Sequence, residues 1–266
     1  MIEKSFTDEE IAEIVRKHGL PRYPKLALYR EKLSRKAKAE PNFRFYCLYG
    51  QLLRMDVLRR AYEQVRVNKG APGVDRITFG DIERDKDGVD GFLTSIQQEL
   101  KAKTYRASPV KRVYIEKANG KLRPLGIPTI KDRTIQAAVK LIIEPIFEAD
   151  FHDCSFGFRP NRSAQQAVDR MAAEIKSGKR QVYDADLSSY FDTIPHDKLF
   201  LALRTRITDS GVLSLIRQWL KVQQLSHGKP CAEDAVFAFC IQSEFFDLFE
   251  VNRIFYEHGL KIIPPK

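Results

Sequence analysis

The chain has 266 residues, 43% of them apolar, enough for one or two compact domains with real cores and too much for a short disulfide-stapled peptide. Its 45 Lys and Arg against 35 Asp and Glu leave a formal charge of +10 and a pI near 9.4, which points to a polyanionic partner. Cys47, Cys154, Cys231 and Cys240 form no Cys-x-x-Cys pair, and His152 beside Cys154 completes no zinc set, so a reducing cytoplasm is expected. Met1 is followed by no apolar leader, and no run of about 18 apolar residues occurs, so a soluble protein without a membrane partner is expected.

A capping box, Thr7-x-x-Glu10, opens a helix with Ile11, Ile14 and Val15 on one face, and Gly19 followed by Pro21 stops it. A second, basic helical stretch runs from Leu26 to Lys38 and ends at Pro41. Leu52, Val57, Leu58, Ala61, Tyr62 and Val65 recur at helical spacing until Asn68-Lys-Gly-Ala-Pro-Gly73 breaks the pattern. Phe92 to Leu100 reads as a further helix. The pattern then turns extended, with Val110, Val113 and Ile115 on one arm, Leu122, Leu125 and Ile127 on the other, and Asn119-Gly120 between them, which predicts a basic β-hairpin.

Asp132 is expected to cap the next helix, whose broad apolar face carries Ile135, Ala138, Val139, Ile142, Ile143, Ile146 and Phe147. After the loop Cys154-Ser-Phe-Gly-Phe-Arg-Pro160, a helix is predicted from Ser163 to Lys176, ended by Gly178. A short strand, Gln181 to Leu187, precedes a helical segment through Leu199, Phe200, Leu203 and Ile207, and a last helix from Val212 to Val222. Trp219, among Leu215, Ile216 and Leu220, reads as core, and His196 as helix initiation rather than a general base. Strands set among helices, without regular βαβ alternation, give an α+β class.

The charge is uneven. Residues 101–133 hold ten basic and two acidic residues; residues 230–266 hold three basic and six acidic ones and are crowded with Phe. The chain changes character near residue 230.

Two segments carry chemistry. In Tyr183-Asp-Ala-Asp-Leu-Ser-Ser-Tyr-Phe-Asp192, alternation along a strand puts Asp184 and Asp186 on one face, where hard carboxylate oxygens suit Mg²⁺ and the following turn offers N–H groups to a triphosphate. In Lys117-Ala-Asn-Gly-Lys-Leu-Arg-Pro-Leu-Gly-Ile-Pro128, a hairpin with Lys117 on one arm and Arg123 on the other could clamp phosphates. Each segment also reads as solvated charge, at a strand end or on a basic hairpin, and neither decides alone.

Together with Asn68-Lys-Gly-Ala-Pro-Gly-Val-Asp75, Ser155-Phe-Gly-Phe-Arg-Pro-Asn-Arg-Ser-Ala164 and Asp186-Leu-Ser-Ser-Tyr-Phe-Asp-Thr-Ile-Pro-His-Asp197, the hairpin resembles, over about residues 50 to 229, the reverse transcriptases encoded by bacterial group II introns. The resemblance implies RNA-directed DNA polymerisation, a nucleotidyl transfer, with RNA template, intron RNA, RNA/DNA duplex and deoxynucleoside triphosphates as partners and Mg²⁺ as cofactor. It implies reverse-transcriptase fingers and a partial palm with a helical N-terminal extension. Residues 1–50 would be the basic extension, 51–180 the fingers-like region with its hairpin, 181–229 the partial palm, and 230–266 a divergent aromatic and acidic tail. Asp186 matches the first metal-binding aspartate, with the Leu187 carbonyl beside it. Phe191 matches the aromatic under the incoming sugar, and Lys117 and Arg123 the residues gripping the triphosphate. Arg112, Arg159 and Arg162 fall in segments lining the template path.

The family's Tyr-x-Asp-Asp and Pro-Gln-Gly motifs are absent from these 266 residues, and no adjacent Asp-Asp occurs downstream of Asp186. A truncated or frame-altered copy, inactive alone as a polymerase, is therefore expected. The alternatives are an RNA-binding, maturase-like protein or a decayed fragment.

Overall fold

The computed structural model describes residues 6–116, 120, 122–181, 194–222, 224–226 and 229–230. The helices are α1 (Asp8–Lys17), α2 (Pro24–Ala39), α3 (Tyr49–Leu52), α4 (Met55–Val67), α5 (Phe79–Arg84), α6 (Gly88–Lys101), α7 (Ile130–Phe147), α8 (Ala164–Lys176), α9 (His196–Arg206) and α10 (Ser210–Leu220). The strands β1 (Val110–Glu116), β2 (Leu122–Ile127), β3 (Gln224–Ser226) and β4 (Lys229–Pro230) form a sheet of order β2-β1-β3-β4. The expected α+β class is met. No helix among the described residues is long and apolar enough to cross a membrane.

The local signals act as chemistry dictates. The Thr7 hydroxyl accepts from the Glu10 N–H while the Glu10 carboxylate accepts from the Thr7 N–H at 2.9 Å, and Gly19, at φ +60°, closes α1. Ser163 and Gln166 form the same reciprocal pair at the start of α8. One expectation needs correction: Asp132 is not the cap of α7. Thr129 takes that place, accepting from the Asp132 N–H at 3.1 Å and donating to the Asp132 carboxylate at 2.7 Å. Thr129 has the extended backbone of a cap (φ −62°, ψ 160°), whereas Asp132 already lies in the first helical turn, from where its carboxylate completes the pair.

α7 is the central element, buried along nearly its whole length, and α2 and α4 pack against it. Pro145 lies inside it, so the carbonyl of Leu141, four residues earlier, has no helical N–H to accept. Arg30, from the middle of α2, supplies that donor through Nη1 and pairs with Glu144 through Nη2 at 2.6 Å. One buried guanidinium thus repairs the proline defect and fixes α2 on α7.

The other end of the chain is tied to the same core. The Asp209 carboxylate accepts from the N–H groups of Leu48 and Tyr49 at 2.7 and 2.9 Å and from those of Gly211 and Val212 at 2.9 and 3.1 Å, capping α3 and α10 together. Arg206 reaches back to the carbonyls that end α2, donating to Ala37 at 2.8 Å and Glu40 at 3.1 Å, and pairs with Asp150. Phe45 bridges to Ile207 beside it. Trp219 is buried as expected, with its indole N–H donating to the Tyr105 hydroxyl at 2.9 Å. His196 opens α9, as its sequence context requires.

Candidate nucleic-acid interface

The hairpin forms where Asn119-Gly120 predicts it, with β1 and β2 antiparallel from Lys111↔Ile127 to Glu116↔Leu122. Gly120 has φ +75°, a left-handed conformation in which glycine carries no Cβ penalty. β3 pairs in parallel only with Val110 and Lys111, so beyond that point β1 is held by β2 alone. Val110 and Arg112 are buried, whereas Tyr114, Ile115, Glu116 and Leu122 are exposed. A half-buried strand would alternate. Exposure of successive residues on both faces means that the distal half projects from the body.

Arg123 takes its place in β2 opposite Ile115. Lys117, which follows β1 directly, lies outside the described residues, as do Asp184, Asp186, Leu187 and Phe191. Arg112 sits at the hairpin base with its guanidinium 5.3 Å from the centre of the Tyr114 ring.

Arg159 is held deep in the loop before α8. Its Nε and Nη2 donate to Glu148, at 3.1 and 2.7 Å, and its Nη1 to the carbonyls of His152 and Ser155, at 2.6 and 2.8 Å. These bonds shape the loop. Arg162 donates to the Asp153 carbonyl and carboxylate, both at 3.2 Å, and lies 5.3 Å from the centre of the Phe156 ring. The two arginines share this loop, while Arg112 belongs to the hairpin.

The base of the hairpin is set by a buried network that the sequence reading left out. The Asp132 carboxylate accepts from the Tyr105 hydroxyl at 2.5 Å, the Ser108 N–H at 3.2 Å and Thr129. Burial pushes the Asp132 carboxyl above its ordinary value, against the pull of those donors, and the Tyr105 hydroxyl is pushed up by burial and by Asp132. The chain Trp219, Tyr105, Asp132 joins α10, the approach to β1 and the start of α7. The Thr129-x-x-Asp132 spacing, the same as Thr7-x-x-Glu10, was the available signal.

The Asn68–Asp75 loop is seated on the same helix start. A Cβ on Gly73 would lie 2.7 Å from the Thr129 nitrogen and 3.0 Å from the Pro128 carbonyl carbon, so backbone passes against backbone where only hydrogen fits. Arg133 Nη2 donates to the Ala71 carbonyl at 2.7 Å and fastens the loop. Two motifs separated by some 50 residues of sequence thereby meet at the hairpin base. Among the described residues, no three His, Cys, Asp or Glu side chains are grouped so as to hold a metal ion.

The family model of reverse transcriptase (RNA-dependent DNA polymerase) matches residues 115–239, from the hairpin onward. The chain is 37% identical over 203 residues to protein YkfC of Escherichia coli strain K12, covering 74% of this chain and 52% of that protein. It is 38% identical over 202 residues to the group II intron-encoded protein LtrA of Lactococcus lactis subsp. cremoris, covering 74% of this chain and 32% of that protein. An uncharacterized 91 kDa protein in the cob intron of Schizosaccharomyces pombe is 32% identical over 200 residues, with 74% of this chain and 24% of that protein covered. The chain thus spans about half the length of YkfC and a third or less of the other two relatives. With the fingers and palm-like fold that the match implies, the chain belongs to the reverse transcriptase/maturase family of group II introns.

Proposed function

We propose that this polypeptide is the template-holding and nucleotide-gripping portion of a group II intron-type RNA-directed DNA polymerase. The similarity to LtrA over 74% of the chain carries this reading. The projecting basic hairpin supports it, since a phosphate clamp must stand clear of the body to close on a polyanion. Lys117 and Arg123 grip the triphosphate of the incoming deoxynucleotide. Phe191 packs under its sugar. Arg112, Arg159 and Arg162 belong to the segments along the RNA template, with Arg159 acting through the loop it holds. RNA/DNA duplex and intron RNA are the further partners, and the basic helices of residues 1–50 are the extension that meets them. The exposed, unpaired Cys47 and Cys154 suit a reducing cytoplasm.

The Asp186 carboxylate and the Leu187 carbonyl are hard oxygen donors that fit Mg²⁺ and would hold it. When bound, that ion supplies charge neutralisation at the transferring phosphoryl group. Two-metal chemistry needs carboxylates from more than one strand, and these 266 residues carry the set of one. Alone, the polypeptide binds RNA and does not polymerise.

RNA filter binding across a salt series and Mg²⁺-dependent primer extension test this together. Expected are an affinity that falls with salt, by about 0.7 in log–log slope per phosphate neutralised on a single strand, weakening by Arg112→Ala and Arg162→Ala, and no extension. Salt-independent binding would remove the RNA-binding reading, and extension abolished by Asp186→Ala would overturn the predicted inactivity.

A further inference from the structure

α9 and α10 are joined by the short connection of residues 207–209, and between them lies a groove of about 420 Å³ lined by His196, Asp197, Phe200, Leu201, Arg204, Arg217, Leu220 and Lys221. Three cations face it against one carboxylate. Most arginines of this protein have their donors committed: Arg30, Arg54, Arg66, Arg159 and Arg206 all bond carboxylates or carbonyls. Among the described residues, Arg204, Arg217 and Lys221 have no carboxylate within salt-bridge distance, and all three are exposed. The Arg217 guanidinium carbon lies over the Phe200 ring, 4.8 Å from its centre, a contact that holds the side chain in place without using its N–H donors.

The spacing is informative. A helix rises about 1.5 Å per residue, so Lys221 stands about 6 Å along α10 from Arg217, and Arg204 about 6 Å along α9 from Phe200, the residue that Arg217 covers. Three positive groups at one-turn intervals match the separation of successive phosphates on a nucleic-acid strand. Of the apolar residues between them, Leu201 is exposed and suits a sugar or base face, while Phe200, under Arg217, and Leu220 are buried and form the floor.

We propose that the α9–α10 groove is a second binding surface, distinct from the hairpin, which takes the sugar-phosphate backbone of a single nucleic-acid strand. An acidic peptide would meet the same charges, but it would leave the exposed Leu201 without a planar partner. Burial of His196, helped by neighbouring Lys221, lowers the imidazole pKa and is consistent with positive charge gathered at this end of the groove. The inference rests on the nucleic-acid reading of the chain and adds a site to it.

The experiment compares the full chain with the combined Arg204→Ala, Arg217→Ala, Lys221→Ala variant and with an Arg112→Ala, Arg162→Ala template-path variant. Fluorescence anisotropy is read with RNA and DNA oligonucleotides of one sequence across a salt series, with thermal melts as a check on folding. The triple variant is expected to lose about tenfold or more in affinity and about 2 in log–log salt slope, three phosphates at about 0.7 each. The oligonucleotide that loses more identifies the preferred sugar. An unchanged affinity and slope, with the template-path variant impaired, would overturn the groove while leaving the proposed function intact. Parent protein that binds neither oligonucleotide would overturn both. Polyglutamate that competes as well as the oligonucleotide, and only in the parent, would make this an acidic-peptide surface and overturn the inference. Should the triple variant not fold, 4-thiouridine crosslinking of the parent decides: adducts within residues 196–221 support the groove, and adducts confined elsewhere refute it.

Discussion

Glu31 is buried on α2, yet three cationic or protonatable side chains reach it: Lys17 at 2.7 Å, Arg35 at 2.8 Å and His18 at 3.0 Å. Burial alone would raise its carboxyl, but the hydrogen bonds from Lys17, Arg35 and His18 outweigh it and bring the value down to about 2 from an ordinary 4.5. A carboxylate depressed in the folded state adds stability that is present above the unfolded value and disappears as pH falls toward the folded one. His18, lowered chiefly by burial, works in the same direction, because the unfolded chain takes up that proton more readily. Acid unfolding should therefore steepen between pH 4.5 and 2. Glu31→Gln should cost about 1–3 kcal/mol at neutral pH and flatten that decline, as read by melting temperature against pH; parallel curves for parent and variant would show that Glu31 contributes nothing to it. The first two helices are thus fastened to each other by specific electrostatics, although composition presents them only as basic helix.

The repair of α7 can be tested as a coupling. Arg30→Met removes the donor to the Leu141 carbonyl and leaves Glu144 unpaired in the interior, a loss expected at about 3–5 kcal/mol. Pro145→Ala restores a backbone N–H to that carbonyl, so the double variant should recover part of the loss, and urea titration of the four-protein cycle should give a coupling of about 1 kcal/mol or more. Strict additivity would mean that the guanidinium does not stand in for the missing helical bond. The same elements show what was legible beforehand. The hairpin and the caps of α1 and α8 were readable because their signals are local, within three or four residues. α5 escaped because it has six residues and its box, Thr78 with Asp81, uses Asp where Glu is the usual partner. β3 escaped for another reason: it pairs across more than 100 residues through two positions, and no short-range pattern encodes that. The sequence motif around Arg159 was found, but its commitment to Glu148 and two carbonyls depends on groups that only folding assembles.

The three ties from α9 and α10 to the N-terminal helices, through Asp209, Arg206 and Phe45, make the described residues one cooperative body. Far-UV circular dichroism and amide hydrogen exchange of α2 should lose their native signals at the same denaturant concentration as α10, and deletion of residues 1–40 should abolish that transition instead of leaving a stable remainder. An early, separate loss of α2 protection would show that α2 belongs to an independent unit. The hairpin is rooted on the start of α7 through Asp132, and α10 reaches the same network through Trp219 and Tyr105. Trp219 is the single tryptophan of the chain, and its indole is bonded to the Tyr105 hydroxyl at the root of the hairpin. Its emission is accordingly a built-in optical gauge of hairpin seating: a ligand that drags β1 outward must stretch that bond and shift the spectrum, with no dye attached.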